Sequence, residues 1–133
     1  MPLNSYFIVR RIDMRVIIAG SRDFNDYDLL KKTVTDIISN ATPEIISGCA
    51  KGADRLGERF AKEYGYSLVK FPAKWEEFGK KAGYVRNIEM AKYSISDDAE
   101  GVLIAFWDGE SKGTKHMIDI AKRYNLKSHV IRY

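Results

Sequence analysis

The chain has 133 residues, 45% hydrophobic and 30% charged, which is the composition of one globular domain with a single core. One cysteine excludes an internal disulfide and a multi-cysteine zinc site, and two histidines leave little for a metal centre. No apolar run is long enough to cross a bilayer, and the start of the chain lacks the features of a signal peptide, so we expect a cytoplasmic protein. The net charge of +4 is spread along the chain and fits a small anionic ligand as well as nucleic acid.

Strand patterns and helix patterns alternate along the first half of the chain. Short β-branched apolar runs that stop at Gly or Pro predict buried strands, and apolar residues at helical spacing predict helices. These patterns predict a strand at 15–19, a helix at 28–40, a strand at 44–47, a helix at 54–64 and a strand at 66–71. We expect Asp26 or Asp28 to cap the first helix and Gly65 to end the second.

The alternation resumes after a charged and aromatic segment, residues 73–83, which we expect to form a loop or a short helical turn. The later patterns predict a helix at about 84–93, a strand at 101–106, a helix at 114–124 and a strand at 127–131. Strict alternation implies parallel strands joined by right-handed crossovers. The sequence therefore predicts a single-domain α/β fold, a Rossmann-like doubly wound sheet of about five parallel strands with helices on both faces.

Residues 1–13 fit this pattern poorly. We interpret them as an N-terminal extension that is at most peripheral to the core, with an extra edge strand at residues 6–9 as the alternative. Met14 is then the natural start of a domain that comprises residues 14–133.

The first of three glycine-rich loops follows the strand at 15–19, and sheets of this kind bind ligands at the carboxyl ends of their strands. Its candidate ligand-binding residues are Gly20, Ser21, Arg22, Asp23 and Phe24. The glycine lets backbone N–H groups approach a phosphate, the serine adds a hydroxyl donor, and the arginine adds a forked cation. The alternative is a plain turn with a surface arginine.

The second loop joins the strand at 44–47 to the next helix. Its candidate ligand-binding residues are Ser47, Gly48, Ala50, Gly52, Ala53 and Asp54. The spacing matches neither the dinucleotide fingerprint nor a Walker loop, but compact backbone before a helix N-terminus favours anions in the same way. Asp54 either contacts a ribose or base or only caps the helix. Cys49 is interpreted as buried filler, because no histidine lies near it in sequence.

The third loop follows the strand at 101–106. Its candidate ligand-binding residues are Trp107, Asp108, Gly109, Ser111, Gly113 and Thr114. Trp107 either stacks on a base or belongs to the core, and Asp108 either accepts from ribose hydroxyls or caps the turn. His116, on the first turn of the next helix, is expected to be solvated rather than catalytic.

Arg86 and Asn87 lie near the start of the helix at 84–93, from which they could reach a ligand over the strand ends. On spacing alone, however, a solvated helix face is the favoured interpretation. The basic and aromatic stretch at residues 70–81 is either a lid over the site or a loop that caps the helix.

Together these segments resemble one known family. The order of 20–24, 47–54, Arg86-Asn87 with Met90, and 105–114 is similar to that of the YspA/YpsA-related branch of the SLOG superfamily. The resemblance extends from residue 14 to residue 133, and many such small proteins occur in bacteria and phages. It implies a Rossmannoid fold, a nucleotide-derived ligand, and assembly as a homodimer or larger homo-oligomer.

The resemblance also bears on catalysis. Lonely Guy phosphoribohydrolases of this superfamily cleave nucleoside monophosphates and carry Pro-Gly-Gly-x-Gly-Thr-x-x-Glu. Here Gly113-Thr114 is kept, but Met117 stands where the catalytic glutamate would be, and methionine cannot act as a general acid or base. Arg86 matches the arginine of the hydrolases. The resemblance thus implies a retained phosphate-binding half and a lost or moved carboxylate.

Three functions follow from these observations. The first is a sensor or binding module for a nucleoside phosphate or an ADP-ribose-like or NAD-like molecule, with no certain cofactor and no metal. The second is an N-glycosidase whose catalytic candidates are Arg86, Asp54 and Asp108, with Glu89 or Glu110 as further replacements for the lost carboxylate. The third is binding of single-stranded DNA, as in the superfamily member DprA, which the scattered lysines favour least.

Overall fold

The computed structural model describes residues 11–133 and contains a five-stranded sheet with α-helices on both faces. The strands are β1 (Met14–Gly20), β2 (Pro43–Ser47), β3 (Ser67–Lys70), β4 (Glu100–Trp107) and β5 (Lys127–Arg132). The helices are α1 (Tyr27–Ile38), α2 (Ala53–Tyr64), α3 (Trp75–Phe78), α4 (Ala82–Ser94) and α5 (Lys112–Arg123). Two 3₁₀ turns, Gly79–Lys81 and Ser96–Asp98, precede and follow α4.

The sheet order is β3-β2-β1-β4-β5, and every strand pair is parallel. The chain moves outward from β1 to β3 and then returns to the other side of β1, so the order reverses between β1 and β4. A reversal of this kind opens a crevice at the carboxyl ends of the two strands. The predicted doubly wound parallel sheet is confirmed.

Two apolar layers hold the helices against the sheet. Alternate residues of β1 divide between them, because successive side chains of a strand point to opposite faces. Val16 and Ile18 face the layer that contains Leu30 of α1 and Phe60 of α2. The opposite layer consists of Ile17 and Ala19 with apolar residues of α4 and α5. The central strands are therefore buried on both faces, which is why they read as continuous apolar runs.

Helix ends follow the predicted capping chemistry in part. The side chain of Asp26 accepts a hydrogen bond from the backbone N–H of Leu29 at 3.0 Å and caps α1. Gly65 ends α2 in the left-handed conformation, with φ of 72°. Asp54 does not cap α2. The N-cap position of this helix is occupied by Gly52, and no side chain caps its first turn.

Residues 73–83 form the short helix α3 and a 3₁₀ turn that runs directly into α4. Among the helices between residues 11 and 133, none combines the length and the apolar character needed to span a membrane. The proposed edge strand at 6–9 lies outside the described residues. Asp13, just before β1, bonds through its backbone N–H to Thr42 at 3.2 Å and through its carbonyl to Glu100 at 3.1 Å.

Candidate functional site

The three predicted loops meet over the carboxyl ends of β1, β2 and β4. They enclose a small cleft of about 100 Å³, the inner cleft, whose floor is Ala19, Met90 and Met117. Its walls are residues that the sequence predicted: Gly20, Arg22, Ala50, Asp54, Arg86, Asn87, Ser111, Gly113 and Thr114. The topological switch between β1 and β4 is what brings these distant segments together.

Two wider grooves open from the inner cleft. The outer groove, about 430 Å³, is lined by Ser21, Arg22, Asp23, Asp108, Ser111 and Gly113. The side groove, about 250 Å³, is lined by Arg22, Gly48, Cys49, Ala50, Arg55, Pro72, Ala73, Trp75 and Arg86. Arg22 lines all three spaces, which therefore meet at this residue.

Gly20 lets the first loop lie directly against β4. The backbone N–H of Ser21 donates to the carbonyl oxygen of Phe106 at 2.9 Å, and a Cβ on Gly20 would lie 2.8 Å from the Cβ of Ala53. The hydroxyl of Ser21 accepts from the backbone N–H of Asp108 at 3.1 Å. Ser21 thus ties the first loop to the third.

Gly52 makes the corresponding close contact between the second loop and the first. Its φ is +80°, a conformation that L side chains rarely adopt. A Cβ there would collide with the carbonyl oxygens of Ser21 and Arg22. Both loops therefore need glycine for backbone packing, and this packing sets the shape of the inner cleft.

Asp54 is a buried carboxyl group in the wall of the inner cleft. It is 6% exposed, and its Oδ2 accepts a hydrogen bond from the backbone N–H of Ala50 at 3.1 Å. Burial raises the pKa of Asp54 to about 6, against the opposing effects of the Ala50 N–H and the Arg86 charge. Asp54 can therefore exist as either acid or carboxylate near neutral pH.

Arg86 projects from α4 into the same wall. Its guanidinium donates through Nη1 to the carbonyl oxygen of Gly48 and through Nε to the Oδ1 of Asn87 at 3.0 Å. Burial lowers the pKa of Arg86, although an arginine stays charged in any protein environment. Between residues 11 and 133, neither Arg86 nor Arg22 forms an ion pair with a carboxylate.

Asn87 corrects an interpretation made from spacing, which favoured a solvated helix face for Arg86-Asn87. Asn87 is 4% exposed. Its Nδ2 lies 3.4 Å from the carbonyl oxygen of Gly113 and 3.1 Å from the Nδ1 of His116. His116 is also only partly solvated, because its ring stacks on Tyr84 with centroids 4.2 Å apart.

The third loop is held by its own side chains. Asp108 accepts hydrogen bonds from the backbone N–H groups of Glu110 and Ser111, both at 2.8 Å, and these bonds lower its pKa. The hydroxyl of Ser111 caps α5 by accepting from the backbone N–H of Thr114 at 3.4 Å. Asp108 is thus a turn-capping carboxylate that also lines the outer groove.

Several predicted residues support the site without lining the inner cleft or its two grooves. Phe24 is 3% exposed and stacks on Phe106 in the core. Ser47 is buried and donates to the Oε2 of Glu58 at 2.7 Å. Trp107 donates through Nε1 to the carbonyl oxygen of Ser111 at 3.1 Å and lines, with Gly109, a separate open hollow. Gly52 and Ala53 act through backbone packing.

Two residues that contact the predicted loops, Glu58 and Tyr133, were not predicted from the sequence. Glu58 is 5% exposed on α2, one turn after Asp54, and its Oε1 lies 3.6 Å from the Nζ of Lys70. The available signal was the spacing of two acids by four residues, which places them on one face of α2. The C-terminal Tyr133 donates to the Oδ1 of Asp23 at 2.5 Å, which only the tertiary fold reveals.

Cys49 is half-buried rather than a filler of the core, and it adopts a φ of +68°. Burial raises the pKa of its thiol, so the thiol is protonated near neutral pH. This disfavours Cys49 as a nucleophile.

Comparison with known proteins was consistent with the loop pattern. A family model described as "YspA, cpYpsA-related SLOG family" matches residues 14–78, which include the first two loops. The Gene 61 protein of Mycobacterium phage D29 is 33% identical over 123 residues, which cover 84% of this chain and 91% of the phage protein. No solved structure matches the chain.

Proposed function

The chain belongs to the YspA, cpYpsA-related SLOG family, and on this premise we propose that the inner cleft binds the phosphate of a nucleotide or nucleotide-derived ligand. The ligand is a nucleoside phosphate or an ADP-ribose-like or NAD-like molecule, and the protein acts as a sensor or binding module.

The observation that carries this proposal is the pair of arginines at the cleft. Arg22 and Arg86 both line the inner cleft. Burial lowers the pKa of Arg86, the charge of Asp54 raises it, and the charge of Arg22 adds a smaller lowering effect, so the two arginines are close enough to interact. Neither has a carboxylate partner in the part of the chain that the structure describes. Two guanidiniums therefore line one cleft with the single carboxyl group of Asp54, which forms no ion pair with either of them. This excess of positive charge favours an anionic group, and phosphate fits the forked donors of the arginines.

The start of α5 adds a second favourable contribution. Gly113 and Thr114 line the inner cleft on the first turn of this 12-residue helix, where backbone N–H groups and the helix dipole favour an anion. Gly113 carries no side chain that would keep a phosphate away from the backbone. The cations and the helix end therefore act on the same small space.

The sizes of the inner cleft and the two grooves indicate which part of a nucleotide each of them would hold. The inner cleft, at about 100 Å³, accommodates a phosphate but not a whole nucleotide. The outer groove offers Asp23 and Asp108 as acceptors for ribose hydroxyls, and the side groove offers the exposed indole of Trp75 as a stacking surface for a base. A nucleotide would thus extend from the inner cleft into one groove, and a dinucleotide into both.

Isothermal titration calorimetry tests the proposal. AMP, CMP, ADP-ribose and NAD are titrated into the protein, with adenosine as the control that lacks a phosphate. We expect at least one phosphorylated ligand to bind and adenosine to bind far more weakly. No binding by any of the four, or equal binding of AMP and adenosine, would contradict the proposal.

N-glycosidase activity is the second candidate function, and the buried carboxyl group of Asp54 in the inner cleft favours it. Met117 forms part of the apolar floor, so no carboxylate stands at that position. Of the four acids considered as replacements, which are Asp54, Asp108, Glu89 and Glu110, Asp54 is the one that lines the inner cleft beside Arg86. A carboxyl group with a pKa of about 6 suits acid–base work near neutral pH.

With AMP or CMP, water replaces the base at the anomeric carbon of the ribose: the N-glycosidic bond breaks, the water loses a proton, and the base leaves with one. Nicotinamide leaves NAD as a neutral base and needs no proton. Asp54 would donate the proton to the base of AMP or CMP as an acid, or accept one from water as a carboxylate. The assay measures free base released from AMP, CMP or NAD. Release that disappears in both Asp54→Asn and Arg86→Gln would establish the activity, and release that persists in Asp54→Asn would exclude this role for Asp54.

A further inference from the structure

A chain of hydrogen bonds connects the surface of α5 to the cation of the inner cleft. It runs from His116 to Asn87, from Asn87 to Arg86, and from Arg86 to the carbonyl oxygen of Gly48. Asn87 is buried, so its amide has few alternative partners. Each link fixes the donor and acceptor of the next.

The orientation of the Asn87 amide follows from Arg86. The guanidinium has only donors, so the atom of Asn87 that lies 3.0 Å from Arg86 Nε must be the oxygen. The amide nitrogen then faces the carbonyl oxygen of Gly113 and the Nδ1 of His116, at 3.4 and 3.1 Å. Because the amide nitrogen only donates, the Nδ1 of His116 must be an unprotonated acceptor.

Protonation of His116 would break this link. An N–H at Nδ1 would point at the N–H of Asn87, replacing a hydrogen bond by the repulsion of two donors. Asn87 would then lose a contact that orients its amide, and Arg86 would lose a firmly held acceptor. Burial lowers the pKa of His116, which favours the neutral acceptor form.

The groups around His116 act in opposing directions on its charge. Asp119 on α5 raises the pKa of His116, and Arg123 on α5 lowers it. The carboxylate of Asp119 is already paired with Lys115, at 2.9 Å. The remaining neighbours are Tyr84 and Asn87 of α4, Lys112 of α5, and Trp107 and Glu110 of the third loop.

We propose that His116 is a positioning residue: its neutral imidazole holds the Asn87 amide, which in turn holds the Nε of Arg86 in the inner cleft. Acidification then weakens this Nε contact and leaves the bond from Nη1 to Gly48 as the remaining hold on Arg86. The coupling between the three side chains belongs to the free protein. Its effect on ligand affinity rests on the proposed function.

Nitrogen NMR of the free protein tests the coupling without any ligand. The ring nitrogens of His116 report its tautomer, and the Nε–H resonance of Arg86 reports the bond to Asn87. We expect an unprotonated Nδ1 at pH 7.5, and a shift of the Arg86 resonance from pH 7.5 to pH 5 that follows the titration of His116. A protonated Nδ1 at pH 7.5, or an Arg86 resonance that ignores the titration of His116, would overturn the proposal.

Three variants distinguish His116 from Asp54, which also titrates near Arg86. Asparagine at position 116 supplies an acceptor oxygen but no titration, so His116→Asn should keep the Arg86 resonance at its neutral-pH position throughout. His116→Ala should keep it at the acid position. The response should persist in Asp54→Asn. Loss of the response in Asp54→Asn, or its retention in His116→Asn, would assign it to Asp54 and reject the proposal.

The ligand-binding arm uses ADP-ribose, whose phosphate diesters do not titrate between pH 5 and pH 7.5. It is carried out in the Asp54→Asn background, so that titration of Asp54 cannot contribute to the pH dependence of the Kd. We expect the Kd to rise about fivefold at pH 5, the effect of one lost hydrogen bond, and to stay constant when His116→Asn is added. A constant Kd in both proteins would overturn the effect on affinity. If wild type binds none of AMP, CMP, ADP-ribose and NAD, the proposed function fails, and the NMR result still decides the coupling.

Discussion

Asp54 and Arg86 face each other across Gly48. A Cβ placed on Gly48 would lie 2.9 Å from the Oδ2 of Asp54 and 2.9 Å from the Nη1 of Arg86. The glycine thus leaves just enough room for a carboxyl group and a guanidinium to share the wall of the inner cleft without an ion pair. Arg86 keeps its charge available to a ligand, and Asp54 keeps a raised pKa.

Gly48→Ala is therefore expected to disturb the cleft more than the fold. The added methyl group would displace Arg86 or Asp54 and lower phosphate affinity at least about tenfold, while overpacking costs about 1–3 kcal/mol of stability. Calorimetry with the tightest-binding nucleotide and urea unfolding measure the two effects. Gly113→Ala is the stability control, because a Cβ there meets nothing within 4 Å. Wild-type affinity in Gly48→Ala would contradict the described crowding.

Arg86→Gln should weaken binding of the nucleotide phosphate strongly. Loss of charge-assisted hydrogen bonds costs about 1.5–3 kcal/mol, or about 10- to 150-fold in Kd. Arg59→Gln makes the same change of charge on α2, where the Arg59 side chain is 61% exposed and pairs with Glu63. Calorimetry on both variants separates a local contact from the effect of net charge. Equal losses in the two variants would indicate net charge.

Asp54 should make stability depend on pH in a defined direction. Its folded pKa of about 6 lies above the ordinary value of 3.8, so the folded chain keeps a proton that the unfolded chain releases. The free energy of unfolding therefore falls as pH rises from about 4 to about 6, by up to about 3 kcal/mol, and stays lower above that. Urea unfolding should find Asp54→Asn more stable than wild type at pH 7, with the difference shrinking toward pH 4. A difference that does not change with pH would contradict this.

Trp75 should report ligand binding through its fluorescence. Its side chain lies in the side groove and the residue is 55% exposed, so a stacked base would quench its emission. Titration of the wild type with an adenine nucleotide should give quenching that Trp75→Phe removes and Trp107→Phe retains. Quenching that survives Trp75→Phe would place the base elsewhere.

Most of the fold could be predicted from the sequence because its central strands are buried on both faces. Residues 16–19 and 102–106 form uninterrupted apolar runs for this reason, and each predicted strand is present. The start of α4 was predicted less accurately: the helix begins at Ala82, whereas the sequence pattern predicted about residue 84. No side chain caps this end of the helix, and the preceding 3₁₀ turn runs into it without a stop signal.

The site was less predictable than the fold because it depends on contacts between distant segments. Spacing alone cannot show that α4 turns Asn87 toward the start of α5, where it meets Gly113 and His116. The resemblance to a known family, not the helical pattern, singled out Arg86. Phe24 was predicted to bind the ligand because it lies in the first glycine-rich loop, but its side chain packs into the core.

The most direct test of phosphate binding at the inner cleft is a backbone amide NMR titration with AMP and, separately, with adenosine. We expect AMP to shift the amides that line the cleft and adenosine to leave them in place; these are the amides of Gly20, Arg22, Ala50, Gly113 and Thr114. Shifts confined to residues away from these loops, or the same shifts with adenosine, would contradict this expectation.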